Sequence, residues 1–145
     1  MTQASIYKLS ATPIIRGTAK LLETIIKKNF RVHILCKNKN EMYKLDNDLW
    51  IYSVLAFLPH ATEEDTFLDR QKILLTTQTS NLNNANVLLA NDTVPELVDN
   101  YERFVSIYDT STDEVLIQEQ VKNLAALNIP VTIFEEERSS WKRVD

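Results

Sequence analysis

The chain has 145 residues, of which 44% are hydrophobic and 25% charged, and these values are those of one ordinary globular domain. No apolar run approaches the roughly 18 residues of a membrane-spanning helix, and the first residues show no secretory or transit pattern, so we expect a cytoplasmic protein without a membrane partner. The net charge of −4 divides into +5 over residues 1–50 and −9 over residues 51–145, which can mark a surface for acidic partners or nucleic acid or be ordinary solvated surface.

Strand and helix patterns alternate along the first half of the chain. Ser5 to Leu9 is typical of a strand. The pair Thr12 and Pro13 then predicts the start of a helix, with Thr12 as N-cap and Pro13 at the first helical position. A second strand is predicted at residues 31–36 and a second helix at residues 41–50. The first helix has an apolar face at the spacing i, i+4, i+7 and i+11, formed by Ile15, Ala19, Leu22 and Ile26.

The second half continues the alternation. Four more strands are predicted, at residues 73–76, 86–90, 103–108 and 131–134. Between them we expect a short helix at residues 95–102 and a long last helix that begins at Thr112 as N-cap and ends before Asn128 and Pro130. The inward face of the last helix is predicted to contain Ile117, Val121 and Leu124.

Two segments lack a regular pattern. Residues 61–72 are acidic and indicate a surface loop, and residues 135–145 indicate a charged tail tethered by Trp141, so that the strand at 131–134 closes the sheet. Because helices alternate with strands whose centres are uniformly apolar, we predict an α/β fold with a mainly parallel sheet covered by helices on both faces, in three layers. Nothing divides the chain, so residues 1–145 are expected to form a single domain.

The sequence argues against a catalytic or cofactor site. Its one glycine, Gly17, lies inside the first helix, so no phosphate-binding loop can be formed at a strand-to-helix turn, and we expect no cofactor. The one cysteine, Cys36, excludes an intramolecular disulfide and a multi-cysteine zinc site, and the acidic pairs lack metal-ligand spacing, so no metal is expected. Neither His33 nor His60 has a recognisable nucleophile partner, and we interpret His33 as structural and His60 as a turn or interface residue.

One stretch of the sequence is instead rich in the residues that dominate protein interfaces. Trp50 ends the second helix, and Phe57, Leu58, Pro59 and His60 follow within ten positions. Aromatic side chains bury a large rigid area at a small cost in entropy, which makes them frequent hot spots of binding. The alternative is that Trp50 and Phe57 fill the space against the sheet.

Several segments together resemble one known family, the chi subunit of bacterial DNA polymerase III. The resemblance rests on their order and spacing along most of the chain: residues 31–36, 45–50, 57–60, 73–77, 83–88 and 101–109. The combination of Trp50, the Phe57 to His60 segment and the paired Asn83 and Asn84 is the most specific part.

The resemblance implies a Rossmann-like sheet and a non-catalytic accessory subunit of the clamp-loader assembly, within a holoenzyme that is a DNA-directed DNA polymerase. Such a subunit links the replisome to single-stranded DNA-binding protein (SSB) by holding its acidic C-terminal tail, docks the psi subunit or other clamp-loader subunits, and reaches DNA only indirectly. It implies a psi-facing surface around Trp50, Phe57, Leu58, Pro59 and His60. Its expected location is the replisome at the nucleoid.

The family's tail-binding pattern, Arg-x-Arg-aromatic-Lys on the last helix, corresponds here to residues 118–122, and only Lys122 matches it. Basic residues of the first helix are alternative contacts for the tail: Arg16, Lys20 and Lys27. Asn29, Ala61 and Asn128 stand where the family has glycine. The alternatives to this function are an interaction domain of another pathway and a nucleotide-dependent α/β enzyme.

Overall fold

A computed structural model describes residues 2–53, 58–90, 101–138 and 140–144. Within these ranges the chain forms three α-helices, eight strands and one short 3-10 helix. In chain order they are β1 (Gln3–Lys8), α1 (Ile14–Lys27), β2 (Val32–Leu35), α2 (Lys39–Ser53), β3 (Ala61–Thr62), the 3-10 helix (Leu68–Arg70), β4 (Ile73–Thr76), β5 (Val87–Ala90), β6 (Arg103–Tyr108), α3 (Glu114–Ala126), β7 (Val131–Glu137) and β8 (Ser140–Arg143). No helix in these ranges is both long and apolar enough to cross a bilayer.

The eight strands form one sheet in the order β3-β4-β2-β5-β6-β1-β7-β8. Every pairing is parallel except that of β7 with β8. All residues of β2, β4 and β5 are buried, and apart from His33 and Thr76 they are apolar, as is usual for central parallel strands. The prediction of an α/β fold with a mainly parallel sheet is confirmed, and the three-layer, Rossmann-like arrangement stays a prediction.

The helices pack in separate hydrophobic clusters. The largest cluster joins α1 and α2 to the sheet, with Leu22, Met42 and Leu49 fully buried. The helix α3 contributes Leu124 to a second cluster and Ile117 to a third. Gln120 is buried between these positions and accepts a hydrogen bond from the Tyr108 hydroxyl at 2.5 Å, whereas the expected core residue Val121 is only partly buried. A polar residue therefore occupies part of the inner face of α3.

Both predicted N-caps were wrong by one residue. At α1 the N-cap is Pro13, and the Thr12 side chain instead donates a hydrogen bond to the Glu136 carboxylate. At α3 the N-cap is Asp113, whose carboxylate accepts from the Val115 N–H at 3.0 Å. A carboxylate therefore caps α3, whereas at α1 the Glu136 carboxylate binds the loop at residues 10–12 that precedes the helix.

The C-terminal segment is not a tail. Residues 131–137 and 140–143 form the antiparallel pair β7 and β8, so β8 is the edge of the sheet and the strand at 131–134 does not close it. The predicted surface loop at 61–72 contains β3 and the 3-10 helix. Of the predicted helix at 95–102, residues 95–100 lie outside the described residues, and residues 101–102 form a bend.

Asparagine occupies two left-handed turns. Asn29 follows α1 with φ 63° and Asn128 follows α3 with φ 56°, a conformation that asparagine tolerates better than other side chains do. Gly17 is needed for a different reason. A Cβ atom at this position would lie 2.8 Å from Cδ1 of Leu9 and 3.1 Å from Cδ1 of Ile107. Because glycine has no Cβ, α1 can approach the sheet closely.

Candidate functional site

A cleft of ≈ 510 Å³ lies between α2 and the segment that follows Leu58, and we call it the α2 cleft. Its two sides come from α2, which contributes Tyr43, Asp46 and Trp50, and from residues 60–62, 64–67 and 71. Successive turns of α2 place the side chains at positions 43, 46 and 50 on one face, because their spacing of three and four residues follows the helical period. The geometry of the helix therefore places one face of α2 along the cleft.

Trp50 and His60 meet in this cleft. Their ring centroids are 4.2 Å apart with the planes tilted by 38°, and Trp50 is 51% exposed while His60 is 6% exposed. The His60 Nδ1 lies 2.8 Å from the Leu58 carbonyl oxygen, and its Nε2 lies 3.2 Å from both the carbonyl oxygen and Oδ1 of Asp46. His60 thus connects the turn after Leu58 to α2, and its ring packs against the Trp50 indole.

The other sequence-predicted residues of this surface have different positions. Leu58 is 1% exposed and belongs to the hydrophobic cluster of α1 and α2, so its side chain does not face solvent. Pro59 is half-buried beside it, and Phe57 lies outside the described residues. Of the predicted docking residues, the structure therefore brings Trp50 and His60 together at a surface that a partner can reach.

Sequence reasoning missed the opposite wall of the cleft. Glu64 accepts hydrogen bonds at Oε2 from the Tyr43 hydroxyl at 2.6 Å and from the Lys39 ammonium at 2.9 Å. The hydrogen bond from Tyr43, and then that from Lys39, lowers the pKa of Glu64. Phe67 stands at the rim with 65% of its surface exposed, and it was the only aromatic residue in an acidic segment, a signal that could have identified it.

Lys122 lies on another element, exposed on the surface of α3. The exposed cations of α1, Arg16, Lys20 and Lys27, belong to a helix that packs in the first cluster, whereas α3 packs in the second and third. That these cations contact the SSB tail in place of the missing arginines near Lys122 stays a prediction.

The loop between β1 and α1 is the place where a nucleotide-binding fold holds phosphate. In this protein the backbone N–H groups of the loop bind the carboxylate of Glu136 instead. Glu136 Oε1 accepts hydrogen bonds from the backbone N–H groups of Ser10 at 3.0 Å, Ala11 at 2.9 Å and Thr12 at 3.1 Å. These bonds, with that from the Thr12 hydroxyl as the largest cause, lower the pKa of Glu136 to about 2. Three donors that could bind an anion are therefore already used.

His33 and Cys36 are buried and unsuited to catalysis at a surface. His33 is fully buried between the Tyr101 hydroxyl and Thr76 Oγ1, each at 2.6 Å, and burial lowers its pKa to about 4. Burial raises the pKa of the Cys36 thiol to about 12, which leaves it protonated at neutral pH. In the parts of the chain that the structure describes, no three His, Cys, Asp or Glu side chains are grouped as metal ligands.

These observations define a mixed α/β domain with a mainly parallel sheet and a cleft at the protein surface. Residues 1–132 match the model of the family described as "DNA polymerase III chi subunit, HolC", and the chain belongs to this family. It is similar to a protein of Rickettsia prowazekii (strain Madrid E), "Probable DNA polymerase III subunit chi", with 27% identity over 135 residues that cover 92% of this chain and 80% of the relative. The resemblance found in the sequence is thereby confirmed.

Proposed function

We propose that the protein is a non-catalytic accessory subunit of the clamp-loader assembly of DNA polymerase III, which links the replisome to SSB by protein contacts. The observation that carries this proposal is the family match over residues 1–132. The relative's name supports association with the same polymerase. By the same reasoning the protein acts in the cytoplasm at the replisome, as a single domain of residues 1–145 with a three-layer, Rossmann-like fold.

The surface for psi or another clamp-loader subunit is, in this proposal, the α2 cleft. Trp50 offers a half-exposed indole that is supported by the buried ring of His60. A rigid, partly exposed tryptophan is the commonest kind of binding hot spot, since little conformational entropy is lost when a partner covers it. Phe57, Leu58 and Pro59 belong to the same proposed surface, the buried Leu58 as its internal support.

The SSB tail is proposed to bind α3 through Lys122, which pairs with the tail's carboxylates. Lys122 is exposed and offers three N–H donors, although a lysine is less directional than a bidentate arginine. DNA is reached only indirectly in this proposal. A net charge of −4 favours that reading, because neutralising phosphates requires an excess of cations.

Three features favour an adaptor over a nucleotide-dependent enzyme. The loop after β1 donates its N–H groups to Glu136, and the chain's one glycine lies within α1. The cavity of ≈ 540 Å³ at the carboxyl ends of β2 and β6 is lined by two lysines and four acids, a charge balance that disfavours phosphate.

Co-purification tests the function directly. The tagged full-length chain is expected to bind purified clamp-loader subunits, or psi where the source organism has one, in size-exclusion chromatography. It should also bind a fluorescent peptide that ends in Asp-Asp-x-Pro-Phe, with binding weakened in Lys122→Gln and unchanged in Lys72→Gln, an exposed lysine just before β4. Binding to none of these proteins and to no tail peptide would sink the proposal. Thermal stabilisation by a nucleotide would favour the enzyme instead.

A further inference from the structure

The α2 cleft is acidic as well as aromatic. Asp46, Glu64 and Asp65 all line it, and no Lys or Arg is among its lining residues in the described part of the chain. Each carboxylate makes its internal contacts there through one oxygen: Asp46 Oδ1 with His60, Glu64 Oε2 with Lys39 and Tyr43, and Asp65 Oδ2 with Thr62. Among the described residues no hydrogen bond or ion pair uses the second oxygen of these three carboxylates, which is therefore a candidate acceptor for a ligand.

The rim of the cleft carries three exposed aromatic rings. Tyr43 is 44%, Trp50 51% and Phe67 65% exposed, and the neighbouring Ile51 is 62% exposed. Phe67 has φ 55°, a left-handed conformation that is rare for a bulky residue. The guanidinium carbon of Arg70 lies 5.1 Å from the centroid of the Phe67 ring, a cation–π contact that covers one face of this ring.

Carboxylates surrounded by aromatic rings recognise one kind of side chain. A guanidinium or ammonium group pairs with carboxylate oxygens by charge-assisted hydrogen bonds, and its apolar stem packs on aromatic faces. Lys39 pairs with Glu64 at 2.9 Å and Arg70 lies over Phe67, so the three acids of the cleft exceed these two neighbouring cations by one. A cleft of ≈ 510 Å³ is within the usual range for sites that enclose a small group.

We propose, building on the function above, that the α2 cleft receives an arginine or lysine side chain of the docked protein partner, with apolar residues beside that cation resting on Trp50 and Phe67. The cleft then selects the partner segment by charge as well as by shape. Asp46, Glu64 and Asp65 are its specificity residues, and Tyr43 positions Glu64 through the hydrogen bond of 2.6 Å.

A displayed library of random 12-residue peptides, selected on the immobilised full-length protein, tests this without knowledge of the natural partner. The selected peptides are expected to carry Lys or Arg next to an aromatic or aliphatic residue. In the double variant Glu64→Gln with Asp65→Asn, which keeps a hydrogen-bond acceptor at each position, binding of the best peptide should weaken about tenfold. The matched control, Glu102→Gln with Glu119→Gln, removes two exposed acids elsewhere and should bind as the wild type does.

Replacing the cation of the best peptide with norleucine should cause a similar loss, and the loss should shrink at high salt. Selection of acidic or uncharged peptides, no enrichment at all, or equal binding by the cleft and control variants would overturn the proposal. Divalent-cation binding that blocks the peptide but needs no peptide cation would also overturn it. These results are independent of whether clamp-loader subunits co-purify, so the cleft chemistry and the replisome function can fail separately.

Discussion

At the scale of single residues, His33 couples the stability of the protein to pH. The Thr76 hydroxyl donates to the Gln78 carbonyl oxygen at 2.8 Å and therefore accepts from His33 Nε2–H, which leaves Nδ1 to accept from the Tyr101 hydroxyl. A protonated ring would lose the Tyr101 donor and place a charge in the core. Burial is also the largest cause of the lowered His33 pKa, and it raises the pKa of Tyr101 to about 12.

We expect the free energy of unfolding to fall as the pH drops from 6.5 to about 4. The unfolded chain binds a proton at His33 near pH 6.5, whereas the native chain does so only near the pKa of about 4, so stability is complete above this window and lost within it. The loss is about 3 kcal/mol at the acid end. Urea titrations followed by circular dichroism between pH 4 and 7.5 measure it.

The variant His33→Gln should flatten this pH dependence, and Tyr101→Phe should keep the window although it removes one hydrogen bond. The Glu136 carboxylate, with a pKa lowered from 4.5 to about 2, affects stability below about pH 4.5 and so overlaps this window only at its acid end. The same slope in wild type and His33→Gln would contradict the assignment.

Glu136 is a second residue whose role cannot be read from the neighbouring sequence, because its carboxylate binds residues 10–12. Its carboxylate replaces a helix N-cap for the loop at residues 10–12, so Glu136→Ala should destabilise the protein by about 1 kcal/mol, as the loss of an N-cap does. Glu136→Gln keeps an acceptor oxygen and should cost less. Because the pKa is lowered, this contribution is present above about pH 4.5 and disappears as the pH falls towards 2.

Amide hydrogen exchange at residues 10–12, whose N–H groups donate to Glu136, measures the local part of that effect. The variant Glu135→Ala, at an exposed neighbouring acid, is the control. If both alanine variants exchange like the wild type, the carboxylate does not hold this loop.

At the scale of elements, local patterns in the sequence predicted the central sheet well and its edges poorly. The strands at 73–76 and 103–108 are confirmed residue for residue, because their aliphatic and aromatic residues are a local strand signal that needs no knowledge of the neighbouring strands. The cap at Thr12 was wrong because its true partner, Glu136, is 124 residues away in the chain. Long-range contacts of this kind leave no local signal.

The edge strand β8 was missed for a similar reason. Its four residues are all exposed, so they show neither an apolar run nor a buried face, and the strand is defined by pairing with β7. In the α2 cleft, too, local signals were found and long-range contacts were missed. Trp50 was predicted from its aromatic neighbours, whereas Glu64 joins the cleft only because the fold brings it 2.6 Å from the Tyr43 hydroxyl.

Trp141 is the side chain that attaches β8 to the sheet. Its ring meets Tyr7 edge-on at 5.0 Å, and Tyr7 stacks on Phe134 of β7 at 5.0 Å. We expect Trp141→Ala to lower stability by about 1 kcal/mol and Trp141→Phe to lose less, since aromatic pairs contribute about 0.5–1.5 kcal/mol. Hydrogen exchange should show faster exchange in β8 and unchanged β1 and β6. Unchanged exchange in β8 of the alanine variant would show that backbone pairing alone holds this strand.

At the scale of the whole molecule, the two proposed partner surfaces lie on different elements. The α2 cleft is built by α2 and the segment after Leu58, and α2 packs in the first hydrophobic cluster. Lys122 lies on α3, which packs in the second and third clusters. A subunit that links two partners must hold both at once, and separate surfaces allow this without competition.

We therefore expect the two surfaces to act additively. Trp50→Ala should weaken binding of a clamp-loader subunit or psi at least about tenfold, the effect of losing a tryptophan hot spot, and leave binding of the SSB tail peptide within about twofold of wild type. Lys122→Glu should weaken binding of the SSB tail peptide and leave binding of the clamp-loader subunit or psi unchanged, because it replaces the cation with a charge that repels the acidic tail. The double variant should show the sum of the two losses in binding free energy, as distant sites do.

Isothermal titration calorimetry with each ligand, alone and in the presence of the other at saturation, measures both affinities and their coupling. Near-equal affinities with and without the second ligand are expected. If Trp50→Ala also weakened the tail peptide tenfold while the variant kept its wild-type unfolding temperature, the two ligands would share one surface. The protein would then exchange its partners in turn, and it could not bridge them.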